Sequence, residues 1–270
     1  MQNKPNYATF GPGGNSQSFY DAGLKSTKQA PAWLKQVGLD AYEYEAGNGI
    51  SAGETALREI GAAAREHGIL MSLHTPYFIS LSGVDPEKRL KSIDYIAKSL
   101  WAAELLGADT IVIHCGSAGK ISRAEGMALS ADTLYKTLEK LGDTDIAFGV
   151  ETMGKQNQLG TLDEVIELCK MDARLAPVVD FGHLNARDCG GVFVTADDYR
   201  RVDNEEGMEA KSQLSYHPVK QHVSRLDSEI VRRAAYKTEA AHYLAKRESA
   251  VKFIKLLVVI KVNAERVCSE

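Results

Sequence analysis

The chain has 270 residues, 44% of them hydrophobic, and a formal charge of -4. That supplies the core of one large α/β domain and too little for two well-filled ones, and it gives no global basic field, so any nucleic-acid contact has to be local. Four cysteines without a Cys-x-x-Cys pair argue against a disulfide framework, and neither a signal-like start at Met1 to Asn6 nor a bilayer-length apolar run is present, so the expectation is a cytoplasmic chain with no membrane partner.

In chain order, a first strand is expected at Tyr7 to Phe10, followed by the loop Phe10-Gly-Pro-Gly-Gly-Asn15. Strands then follow at Ala41 to Glu45, Ile69 to His74, Asp109 to His114, Ile146 to Glu151 and Ala176 to Asp180. Helices between them announce their starts. Ser51-Ala-Gly-Glu54, Ser122-Arg-Ala-Glu125 and Thr161-Leu-Asp-Glu164 each fit a capping box, and Asp85-Pro86 fits an N-cap followed by proline at the first helical position. Gly38, Gly68 and Gly107 stand where helices should stop, because glycine takes the left-handed conformation without penalty.

This alternation makes about six β/α units before residue 200 and admits a closed eight-stranded TIM-type (β/α)8 barrel or an open doubly wound sheet. The first loop lacks the spacing of a dinucleotide-binding glycine turn, which favours the barrel. A tight connection is the better reading of that loop, with a phosphate-holding role as the alternative. After about residue 203 the punctuation fades. Asn204 to Lys252 is mostly polar, and one apolar run, Phe253 to Val262, carries Lys255 and Lys261. The expectation is a single domain over 1-270, with regular units over 1-202 and a divergent C-terminal region over 203-270 that leaves the barrel atypical and incomplete.

Four strand ends carry metal-capable side chains: His74, His114, Glu151, and Asp180 with His183 three residues on. In a parallel barrel the strand C-termini converge on one face. A single histidine at such a place is usually a buried donor to a carbonyl, but repetition on successive strands points to a shared site. A carboxylate ending Ile146-Ala-Phe-Gly-Val150 is costly to bury without a cation, either a metal or a Lys/Arg partner. Imidazole nitrogen with carboxylate oxygen suits zinc, with manganese or iron as alternatives. Cys115, beside His114, is a candidate thiolate ligand, although strand alternation should point it away from His114. Lys155 and Asn157 are either phosphate contacts or solvated loop residues.

Leu73-His74-Thr-Pro-Tyr77-Phe78, Ile113-His114-Cys-Gly-Ser117, Glu151-Thr-Met-Gly-Lys-Gln-Asn-Gln-Leu-Gly160 and Val179-Asp180-Phe-Gly-His183 together resemble the endonuclease IV family, within the xylose-isomerase-like barrel group. The resemblance implies a zinc-dependent endonuclease that cleaves DNA 5′ of abasic sites in base excision repair. It implies metal ligands at His74, His114, Glu151, Asp180 and His183, with Glu151 bridging two metals and central to catalysis, and DNA contacts at Tyr77 and Phe78. The family holds up to three Zn2+ ions; one or two are expected here, with Mn2+ as an alternative, because the ligands that the family draws from its last two strands have no clear equivalent. His217, His222, Asp227 and Glu270 have suitable chemistry without a convincing strand end. DNA containing abasic sites is the expected partner and a monomer the expected state. The alternative is a metal-dependent sugar isomerase or epimerase of the same barrel group.

Overall fold

The structure is a computed structural model that describes residues 9–190, 192–195, 198 and 201–202. Five strands alternate with helices: β1 (Ala41–Glu45), β2 (Leu70–His74), β3 (Thr110–His114), β4 (Ala147–Glu151) and β5 (Leu175–Val178). The helices are α1 (Gln17–Asp21), α2 (Ala30–Gln36), α3 (Glu54–His67), α4 (Pro86–Leu106), α5 (Arg123–Leu141), α6 (Leu162–Cys169) and α7 (Phe181–Arg187). All strand pairs are parallel, and their spatial order is their chain order. A doubly wound sheet reverses its order at a switch point, whereas consecutive staves of a barrel do not.

The register climbs. Glu45 pairs with His74, His74 with Val112, His114 with Glu151 and Glu151 with Val178. His114 is therefore two residues beyond the partner of His74, and Asp180 two beyond the partner of Glu151. Such a stagger accompanies strand tilt in a barrel and lets residues at different register heights share one level along its axis.

The local signals are met at most places. Asp85 caps α4 by accepting from Glu87 N and Lys88 N, and both Ser122–Glu125 and Thr161–Glu164 close as reciprocal capping boxes. Gly68 and Gly107 end α3 and α4 at φ 66 and 68. The box expected at Ser51 does not form: Gly53 occupies the N-cap of α3 with no side-chain bond, one residue before Glu54. β5 starts one residue earlier than expected and ends at Val178, because Asp180 serves as the N-cap of α7 and accepts from His183 N.

Residues 7 and 8 lie outside the described residues, but Phe10 to Gly14 runs alongside β1. Ala41 N donates to Phe10 O, Glu43 N to Pro12 O and Gly14 N to Glu43 O. A Cβ at Gly11 would fall 1.6 Å from Ala41 O, so the glycine there permits close backbone approach. The segment is thus extended, with Gly13 bridged in parallel to Glu43, so the tight connection expected over Phe10 to Asn15 is replaced by a strand-like run beside β1. The strand Phe253 to Val262, the residues His217, His222, Asp227 and Glu270, and the expected failure of the chain after Val202 to close the barrel all lie outside the described residues.

Outward-facing strand residues such as Leu73, Ile111, Ile113, Phe148 and Val150 are fully buried against the helices. The opposite set, offset by one residue, faces the barrel interior and includes His74, His114 and Glu151. Period-two alternation thus separates an apolar helix-facing layer from a polar interior.

Candidate metal centre

His74 and Glu151 are fully buried at the ends of β2 and β4, and His114 is largely so at the end of β3. His74 Nδ1 lies 2.8 Å from Thr75 O. A carbonyl only accepts, so the ring proton sits on Nδ1 and Nε2 is turned toward the interior. There His74 Nε2 is 3.2 Å from His114 Nε2, and these two nitrogens lie 3.4 and 3.1 Å from Glu151 Oε2.

On the other side of the same carboxylate, His183 Nδ1 is 3.7 Å from Glu151 Oε1 and 3.5 Å from Asp180 Oδ2. It also lies 2.9 Å from Thr152 O, so a cation on this nitrogen would displace that bond. The Thr152 hydroxyl oxygen accepts from Asp180 N at 2.9 Å, fixing the start of the α7 turn against the end of β4.

Two three-residue groups therefore share Glu151: His74, His114, Glu151 and Glu151, Asp180, His183, each with donor atoms within 4.8 Å of one another. The first fits a small ion closely. Bonds of about 2.0–2.1 Å in tetrahedral geometry separate neighbouring donors by about 3.3 Å, and the three separations here are 3.1, 3.2 and 3.4 Å. The second group is wider, with separations of 3.5 and 3.7 Å from His183 Nδ1 to the two carboxylates.

Carboxylates dominate the electrostatics around His74. Burial disfavours charge on His74, but its hydrogen bond to Glu151 and the carboxylates of Glu151, Glu43 and Glu45 outweigh burial and raise its pKa. Cys115 is no thiolate ligand. Burial pushes its pKa well up, and its thiol points to Glu151 O at 3.2 Å, away from the His114 side chain.

Tyr77 and Phe78 lie on the rim, about half exposed. The Tyr77 ring stacks on His114 with centroids 5.8 Å apart and meets His74 edge-on at 5.4 Å. Gly47 makes room for it, since a Cβ there would come within 2.2 Å of the ring. Phe78 packs edge-on against Tyr95. Lys155 and Asn157 are exposed, in a loop whose carbonyls are held by the Arg123 and Arg187 guanidinium groups.

Two interior carboxylates on β1, Glu43 and Glu45, are absent from the set expected from sequence. The alternation Ala-Tyr-Glu-Tyr-Glu is the available signal, since it places both acids on one face. Glu43 is 3% exposed, and burial, with help from Glu45, lifts its pKa to about 7 against the opposing pull of His74 and Ser72.

The sequence model of the xylose isomerase-like TIM barrel family matches residues 31–238. An uncharacterized protein of Methanocaldococcus jannaschii is 28% identical over 191 residues, 68% of each chain. A probable endonuclease 4 of Symbiobacterium thermophilum is 31% identical over 150 residues, which is 53% of this chain and 54% of that one. Another, from Acholeplasma laidlawii, is 29% identical over 114 residues, 40% of this chain and 39% of the relative. The alignments thus span about half or less of these endonuclease relatives. Among solved structures, endonuclease IV from Thermus thermophilus superposes with a TM-score of 0.53 at 22% identity, covering 68% of each chain. A D-tagatose 3-epimerase-like protein does so at 0.55 and 19% identity, covering 67% of this chain and 68% of that one. At such identities the two superpositions show the fold, and both kinds of enzyme share it. The family match covers well over half of the sequence, and the consecutive parallel strands have the order that a barrel requires; the chain belongs to the xylose isomerase-like TIM barrel family.

Proposed function

We propose that the chain is a metal-dependent phosphodiesterase of the endonuclease IV kind, nicking DNA 5′ of abasic sites. The observation that carries this reading is the position of Glu151, whose Oε2 faces the His74–His114 pair while Oε1 faces His183. A carboxylate with one oxygen toward each of two donor groups has the disposition of a bridge between two ions. His74, His114, Glu151, Asp180 and His183 are the proposed ligands, for one or two zinc or manganese ions.

Divalent ions held there would neutralise charge developing on the phosphoryl oxygens and make water acidic enough to attack at neutral pH. The chain's own part is to hold donors and exclude solvent. The Thr75 carbonyl keeps the His74 proton on Nδ1 and so leaves Nε2 available, as a hydrogen bond behind a ligand histidine commonly does. Thr152 ties Asp180 to the end of β4. The Tyr77 ring, exposed on its outer side, offers a surface against which a sugar or base at an abasic gap would stack.

One observation favours a second reading, a sugar isomerase or epimerase. Glu43 and Glu45 line the interior next to His74, where carboxylates repel a phosphodiester but accept hydrogen bonds from sugar hydroxyls. The test is to load the purified chain with zinc or manganese and offer it a duplex with one abasic site, alongside a set of ketoses and aldoses. Nicking that is lost in Glu151→Gln supports the endonuclease; sugar turnover without nicking moves the assignment to the second reading.

A further inference from the structure

The Glu43–Glu45 edge carries more than its nearness to His74. Glu43 Oε2 accepts from the Ser72 hydroxyl at 3.0 Å. Its other oxygen, Oε1, is buried and has no hydrogen-bond partner among the described residues. That oxygen is aimed at Gly13, in the segment that runs alongside β1. A Cβ built on Gly13 would lie 3.9 Å from Glu43 Oε1 and 2.8 Å from Glu45 Oε1. Two carboxylate oxygens from different residues thus converge on one small space that the missing side chain of Gly13 leaves open.

An anionic oxygen buried without a partner is costly, and a second carboxylate beside it raises the cost. A cation between them removes both penalties at once. The donors differ in kind from those around Glu151: they are oxygens throughout, which suits a hard ion of the magnesium or calcium class over zinc.

We propose that Glu43 and Glu45, converging on Gly13, form a second cation site that binds a hard divalent ion, separate from the histidine centre. Gly13 is then required for space: its alanine variant pushes the Glu45 carboxylate out of the site without changing any charge. The proposal does not depend on the phosphodiesterase reading.

The experiment titrates Mg2+ or Ca2+ into the zinc-loaded full chain, following heat of binding and melting temperature. Wild type is expected to bind one ion and to melt several degrees higher, with His114→Ala retaining this response. Glu43→Gln, Glu45→Gln and Gly13→Ala are expected to weaken the binding at least tenfold. Circular dichroism confirms the fold of each variant, and Gly13→Ala or Glu45→Gln decides the matter if Glu43→Gln does not fold. An absent response in wild type, or an equal response in the three variants, overturns the proposal, as does loss of the response in His114→Ala alone.

Discussion

At the scale of single residues, Glu43 gives a pH dependence whose sign is fixed by its environment. Its carboxyl is raised to about 7 in the folded chain, chiefly by burial, against about 4.3 when unfolded. The folded state therefore prefers the protonated acid. The contribution is fully present below about pH 4.3 and is lost as pH rises to about 7, a change on the order of 3 kcal/mol. His74, Glu45 and Glu151 are the titratable groups facing it and Ser72 its hydroxyl donor. In chain stripped of metal, urea unfolding should show Glu43→Gln gaining stability relative to wild type between about pH 4.5 and 7.5, the range that spans the two values. A difference that stays flat across this range contradicts the assignment.

Cys115 makes a second prediction at this scale. Its thiol meets Glu151 O, and its own carbonyl accepts from the Ser130 hydroxyl of α5 at 2.6 Å. It thereby joins the ends of β3 and β4, where His114 and Glu151 are register partners. Cys115→Ala should lower zinc affinity by about tenfold or more, in the range typical of groups behind a metal ligand, with Cys115→Ser recovering part of it. Competition against a chromophoric chelator reads the affinity directly, and an unchanged value in Cys115→Ala would count against this role.

At the scale of elements, the strands are legible in the sequence because each ends an apolar run, and because glycines at Gly68 and Gly107 set the helix stops just before two of them. The Ser51 box fails where the other N-cap signals hold, because Gly53, adjacent to Glu54, already has the extended conformation of a cap. Asp180 looks like a strand end in the sequence, but a carboxylate just before a helix accepts first-turn amides, and that competing bond ends β5 earlier. Glu43 and Glu45 are hard to single out because charged residues on an alternating strand look like a solvated face until a neighbouring segment covers them. The helix layer has its own test. A Cβ on Gly61 of α3 would lie 2.6 Å from Leu105 O of α4, so Gly61→Ala should destabilise by about 1–3 kcal/mol despite its better helix propensity. Equal or higher stability in thermal unfolding would show that the α3–α4 contact yields easily.

At the scale of the whole molecule, four segments from different parts of the chain bring their donors to one end of the sheet through a register that climbs along it. The metal-capable types at strand ends are readable in the sequence. Their pairing is not, because it depends on stagger, which no single segment records: the division of Glu151 between two groups emerges only when β2, β3, β4 and α7 are placed together. Metal occupancy should then stabilise the chain as a unit, because ligands from separate segments meet only in the folded state.

The most direct measurement is the zinc content of the purified full chain, taken after saturation and removal of loose metal, for wild type and Glu151→Gln. One or two tightly held zinc ions per chain are expected in wild type, with Glu151→Gln folded but losing most of them, since its carboxylate serves both groups. A wild-type chain that retains no zinc, or a folded Glu151→Gln that retains the wild-type amount, would contradict a metal centre built on Glu151.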